Sequence, residues 1–352
     1  MDVTRTTIRI ILFLLVGAAV YGFLRIPELI DRIVPSKSIN VLVWPNVIDA
    51  EHFEAFEKET GIKVRLSYFE NYEELLVKMQ SGMGDYDLVM ASDYAVRTLI
   101  ASNVVKPIDK KRIPYFSDIY PVLLGLSFDP DNRYTIPYSW EIYGVGIDTT
   151  YYKNGLPDAS WALLFDEKVS PPHVGMLDDA REVVSIAALY LFGGKNKQIT
   201  VDQMKQIEQL LRRQKKRVAM YTDLRTDYLL VSQAAPAVLG ISSDIYHAMH
   251  EYDTIKFLLP KEGSFMLMDM WLIPKETKKD DWVYQFLSYV YRPEVMKKYA
   301  DRYNFFPAMR NITSDDNRYF LTPTPSLFSR LHLFDYEIPE QQMRELWIAL
   351  KS

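Results

Sequence analysis

Residues 86–94 read YDLVMASDY and residues 134–148 read YTIPYSWEIYGVGID. These two stretches decide the fold. The first is a short apolar run, Leu88–Ala91, that ends in Ser92, Asp93 and Tyr94, the pattern of a buried strand feeding a polar loop. Upstream, Val41–Val43 is a similar run followed by Trp44, and ETGIKV ends a third at Val64. Amphipathic segments alternate with these strands: Glu51–Thr60, closed by Gly61, and Tyr72–Ser81, closed by Gly82. Strands alternating with helices predict a doubly wound α/β sheet, whose ligands bind at the carboxyl ends of its strands. Trp44 on one loop and Ser92 and Tyr94 on the next are therefore placed at one ligand-facing edge.

With 352 residues the chain exceeds the usual size of one core, so two lobes are expected. Hydrophobic residues make up 48% and charged residues 25%, which excludes disordered and fibrous classes. A net charge of -5 gives no cationic footprint for nucleic acid and suits a protein that receives a cation. Cys is absent, which removes disulfides, thiolate metal ligands, cysteine nucleophiles and the acceptor for a bacterial lipid anchor.

Near the N-terminus, Arg5 and Arg9 precede an uncharged apolar run from Ile10 to Leu24, the composition of an export signal. It is either cleaved after the small residues Gly17, Ala18 and Ala19 or kept as an inner-membrane anchor. Arg25–Ser38, with two prolines, reads as a tether. Further on, Val145–Asp148 and Met270–Pro274 are expected to cross between lobes. Residues 39–140 with 270–310 make lobe one, and 141–269 with 311–352 make lobe two. The run Arg212–Arg217 is read as a solvated helix terminus favoured by the macrodipole.

The order and spacing of several short motifs carry a resemblance. They are Trp44, ETGIKV, YDLVMAS, IPYSW, Ser160–Trp161, DDAREV at Asp178–Val183, PKEG at Pro260–Gly263, Met268–Asp269 and RPEV at Arg292–Val295. Across about Ile39 to Pro307 the chain resembles the periplasmic solute-binding proteins of ABC transporters, and most closely those for spermidine and putrescine. The resemblance implies two α/β lobes of the type II periplasmic-binding fold, with a hinge and a ligand cleft between them. It also implies a monomer in the periplasm that serves a permease in the inner membrane. Residue by residue, it implies a ligand-stacking Trp44, polar contacts from Ser92 and Tyr94, and an amine held by Asp179 and Glu182. Asp269 matches a carboxylate at the lobe boundary, and Asp244, in ISSD, an acid of the putrescine-selective members.

A polyamine needs carboxylates at its ends and aromatic faces along its methylenes. The chain departs from the family pattern in the second requirement: Pro45, Asn46 and Val47 follow Trp44, and Ile241 and Leu267 stand at aromatic positions. Glu141 occupies a place that is usually small. These departures lead to an expected shift towards short diamines or a fall in affinity across the polyamine series.

Other readings of the same residues stand beside these. Asp179 and Glu182 have the spacing of a capping box, Ser92 that of a helix cap, and Trp44 could be core. Asp269 sits in an apolar run and requires a partner, either the ligand or an internal Arg. No nucleophile elbow, phosphate loop or zinc-protease motif is present, so no catalytic residues and no cofactor are expected. His247 and His250, near Glu251, are read as surface residues, and no metal site is expected. A membrane-tethered solute sensor of the same fold is the alternative function.

Overall fold

The computed structural model describes residues 37–351 apart from 50, 52, 82–84, 195–197, 223–224, 313–320, 322–323 and 335–336. The expected export signal and most of its tether, and Gly82, lie outside the described residues. Among the described residues twelve strands form one continuous sheet: β1 (Ser38–Val43), β2 (Lys63–Tyr68), β3 (Leu88–Ser92), β4 (Val105–Lys106), β5 (Ile136–Asp148), β6 (Val174–Leu177), β7 (Val218–Thr222), β8 (Ala237–Ile241), β9 (Ile255–Leu258), β10 (Ser264–Pro274), β11 (Phe306–Pro307) and β12 (Leu331–His332). Its main path runs β2-β1-β3-β10-β5-β8-β6-β7.

The first three strands are parallel, as the strand and helix alternation predicts, and β10 and β5 then add in antiparallel sense. β5 is thirteen residues long and buried throughout, longer than the expected crossing at Val145–Asp148. One part of it pairs with β10, and the rest, from Tyr143, with β8 and β9. A single strand thus serves both lobes. β10 does the same from the other direction, beginning at Ser264 rather than Met270. Both expectations were too short because the strand continues through the boundary instead of starting there.

Two main cores flank this boundary. One gathers Val41, Val89, Trp140, Trp271, Phe286 and Tyr291. The other gathers Tyr143, Trp161, Val184, Leu211 and Phe265, with the C-terminal helix Glu340–Lys351 adding Met343, Leu346 and Leu350. On β5 the cores change hands between Ile142 and Tyr143, and on β10 between Phe265 and Met266. The helix Glu54–Thr60 ends at Gly61, whose φ of 72° is the left-handed conformation that favours glycine.

Several motifs prove to be braces. The Trp161 indole donates to the Gly263 carbonyl at 2.9 Å, and the Ser160 hydroxyl donates to Glu262, which ties the SW and PKEG motifs together at the start of β10. Arg292 of RPEV pairs with Glu59 at 2.5 Å. Gly144 lies in the middle of β5, where a Cβ would meet the Phe257 ring at 2.3 Å and the Leu258 carbonyl oxygen at 2.9 Å. Gly144→Ala is therefore expected to cost about 1–3 kcal/mol of stability by overpacking, measured by denaturant unfolding at unchanged m-value.

Candidate ligand site in the interlobe cleft

Register alone builds the floor of the site. Asp269 of β10 stands opposite Ser92 of β3 on one side and Ser139 of β5 on the other. Residues directly opposite in an antiparallel ladder share a face, so these three side chains form a row. One step along, Leu267 faces Glu141, and beyond it Tyr143 faces Ile241. The period of two thus puts Ser139, Glu141 and Tyr143 on the same face of β5.

Hydrogen bonds link the row. The Ser92 hydroxyl donates to Asp269 Oδ1 at 2.9 Å, and the Ser139 hydroxyl approaches Oδ2 at 3.4 Å. The Trp44 indole N–H donates to Ser92 Oγ at 3.1 Å, while its ring lies 4.2 Å from that of Phe69 at a 51° tilt. Trp44 is half-buried, so it is no simple core residue. Ser92 occupies the cap position of the helix Asp93–Ala101 but makes no capping hydrogen bond. Its hydroxyl serves Asp269 instead. Tyr94 lies in the first turn of that helix, and its side chain lies outside the described residues.

The opposite wall comes from the second lobe. Asp179 caps the helix Ala180–Phe192, accepting from the Glu182 N–H at 2.8 Å. Glu182 does not reach back to complete a capping box; its carboxylate accepts the Tyr143 hydroxyl at 2.5 Å. Only half of a capping box therefore forms, and the Glu182 carboxylate is turned to the sheet floor. Asp244, in the first turn of the helix Ser242–Glu251, accepts from the Arg225 N–H at 3.1 Å. The Arg225 guanidinium is itself paired with Asp227 at 2.8 Å. Ser243 donates through its hydroxyl to Glu141 Oε2.

The lobes face each other across these groups. Burial chiefly raises Asp179 and Glu182, and charges from lobe one add to it, Glu73 on the first and Asp93 on the second. The structure brings Trp44, Ser92, Asp179, Glu182, Asp244 and Asp269 to one cleft and adds Asp93, Ser139, Glu141 and Tyr143. The alternation within YSWEIYG was the available signal for the last three.

Electrostatics set this cleft apart. Burial pushes Asp269 up to about 6, Asp93 to about 7 and Glu141 to about 8. Glu182 is held well above the usual carboxylate range by burial and by the neighbouring Asp179 charge. Asp244 rises to about 6 through burial and the Asp227 charge. Asp179 reaches solvent, yet the protein around it still raises it. Among the described residues no Lys or Arg side chain pairs with Glu141, Glu182 or Asp269. The Asp93 Oδ1 oxygen is buried without any hydrogen-bond partner among the described residues. Asp179 caps one helix N-terminus, and Asp93 and Asp244 stand in the first turns of two others, so each of these ends, which would otherwise attract an anion, already carries an acid. Such a cleft repels anions and accommodates several positive charges.

A pH dependence follows. Each raised carboxylic acid binds its proton more tightly folded than unfolded, so its contribution is full below the unfolded pKa and is lost as pH rises through the folded one. The ligand-free protein should lose melting temperature, on the order of 5 °C, between about pH 5 and 8. A bound polycation should flatten that slope, and scanning calorimetry at several pH values measures both.

Comparison with known proteins agrees with this geometry. Residues 51–319 match the profile of the family described as bacterial extracellular solute-binding protein. The chain belongs to that family. It is 31% identical over 271 residues to the spermidine/putrescine-binding periplasmic protein of Escherichia coli, covering 73% of this chain and 74% of that one. It is 29% identical over 281 residues to the putrescine-binding periplasmic protein PotF of the same organism, covering 75% and 76%. Among solved structures, the spermidine/putrescine ABC transporter substrate-binding protein PotD of Streptococcus pneumoniae superimposes with a TM-score of 0.76 at 21% identity, over 90% of this chain and 99% of that one. The shared fold is the two-lobed, hinged type II periplasmic-binding architecture.

In this member of the family, no described helix is long and apolar enough to cross a membrane. Among the described residues no group of His, Asp and Glu is arranged to hold a metal ion. His250 bonds Asn304 at 2.7 Å instead.

Proposed function

We propose that this solute-binding protein captures a polyamine of the putrescine and spermidine class between its lobes and delivers it, unaltered, to an ABC transporter permease in the inner membrane. Residues 39–140 with 270–310 and residues 141–269 with 311–352 are assigned as the two closing lobes, and the protein acts as a periplasmic monomer. The observation that carries this reading is the set of desolvated carboxylates Glu141, Glu182 and Asp269, which have no paired cation among the described residues. Buried carboxylates are costly until a cation reaches them. A ligand with several ammonium groups removes that cost at each acid, and Trp44 supplies an aromatic face for cation–π contact. Asp179, Glu182, Asp244 and Asp269 hold the ammonium groups, and Ser92 and Tyr94 add polar contacts. No bond in the ligand is made or broken.

A thermal-shift screen of putrescine, cadaverine, spermidine and spermine tests it. A ligand at about 100 times its Kd adds about 2.7 kcal/mol to folded stability, so at least one amine should raise the melting temperature. A screen in which only anions or sugars do so overturns the reading.

A further inference from the structure

We propose that Glu141 is the counter-ion for an internal secondary ammonium, so that the site selects a triamine over a diamine of equal length. The inference rests on the polyamine reading above and concerns a residue that stands outside the acid set read from the sequence.

Placement carries the argument. Along the cleft face of β5, Ser139 approaches Asp269 and Tyr143 holds Glu182. Glu141 is the residue between them, two positions and therefore roughly 7 Å along the strand from each. The acids at the two ends suit terminal ammonium groups. Between them a diamine presents only methylenes, against which a carboxylate has nothing to bind. A triamine presents a protonated secondary nitrogen there.

The local packing fits a carboxylate poised for such a nitrogen. Glu141 is only 9% exposed. Both Ser243 contacts, hydroxyl and N–H, fall on Oε2, and Oε1 accepts no hydrogen bond from the described residues. Ser243 thus fixes the carboxylate while leaving one oxygen for a donor. Among the described residues, the charged and titratable groups that act on it are Asp269 from β10, Asp244 from the helix Ser242–Glu251 and Tyr143 on its own strand. None of these is a cation. Leu267, directly across the ladder, supplies an apolar wall for the flanking methylenes. A diamine binder would do better with an aliphatic residue at this position, because an acid with no partner only adds desolvation cost.

The test compares spermidine with octamethylenediamine, the same chain length with the internal nitrogen replaced by a methylene, by calorimetric titration of the full chain. One charge-assisted hydrogen bond is worth roughly tenfold or more in affinity. The parent protein should therefore prefer spermidine by at least about that factor. Glu141→Gln, which can still accept from Ser243, should bring the ratio close to unity by weakening spermidine alone. Glu141→Leu is a second variant read the same way. If both amines bind and the ratio is the same in parent and variants, Glu141 has no such role while the polyamine reading stands. If neither amine binds the parent, the polyamine reading and this inference fall together.

Discussion

The double variant Asp179→Asn/Glu182→Gln is expected to bind putrescine and spermidine about 100-fold or more weakly than the parent chain and to melt no lower. Each carboxylate lost removes a charge-assisted hydrogen bond of about 1.5–3 kcal/mol, and two together reach that factor. Stability should survive for local reasons. Asn at position 179 still caps the helix Ala180–Phe192, and Gln at 182 still accepts the Tyr143 hydroxyl. Glu182 is also strained electrostatically by burial and by Asp179, so neutralising it relieves the fold. Calorimetry and thermal melting on one preparation decide the matter. Intact affinity with a lower melting temperature would mean that the pair serves only the helix start.

Asp269→Asn should weaken binding by about 30-fold or more, because removing one partner of a buried charge pair costs 2–5 kcal/mol. Asp269 is 4% exposed, and its only partners among the described residues are the hydroxyls of Ser92 and Ser139. Those hydroxyls can turn to suit an amide, so the ligand-free variant should fold as well as the parent or better. Opposite signs for binding and stability mark a residue kept for its ligand. Equal losses of both would place Asp269 in the framework instead.

Much of this was legible in the chain. Leu88–Ala91 had to be a buried strand, and the carboxyl-edge rule then put Trp44 and Ser92 together, as the indole to hydroxyl bond shows. The apolar setting of Asp269 demanded a charged partner, and among the described residues only the hydroxyls of Ser92 and Ser139 reach its side chain, with no Arg beside them. What stayed hidden depends on register. Nothing local says that Glu141 lies opposite Leu267 or that Tyr143 reaches Glu182; both follow from how β5 pairs with β10 and from the placement of the helix Ala180–Phe192. Asp93 was overshadowed by its neighbours, since an acid at a helix start is ordinarily explained by the macrodipole. That its Oδ1 is buried without a hydrogen-bond partner among the described residues is visible only in the folded chain. The thinned aromatic lining at Ile241 and Leu267 suggested short diamines from the sequence, and the position of Glu141 turns that expectation towards a triamine. Conversely, SW, PKEG and RPEV carried the family resemblance while doing framework work.

The central claim is that the interlobe cleft is a receptor for an organic polycation. Its most direct test is calorimetric titration of the full chain with spermidine and putrescine, beside a small dicarboxylate at the same ionic strength. The account predicts saturable one-to-one binding of at least one amine and no heat of binding from the dicarboxylate. Saturable binding of the dicarboxylate, with neither amine bound, would contradict it.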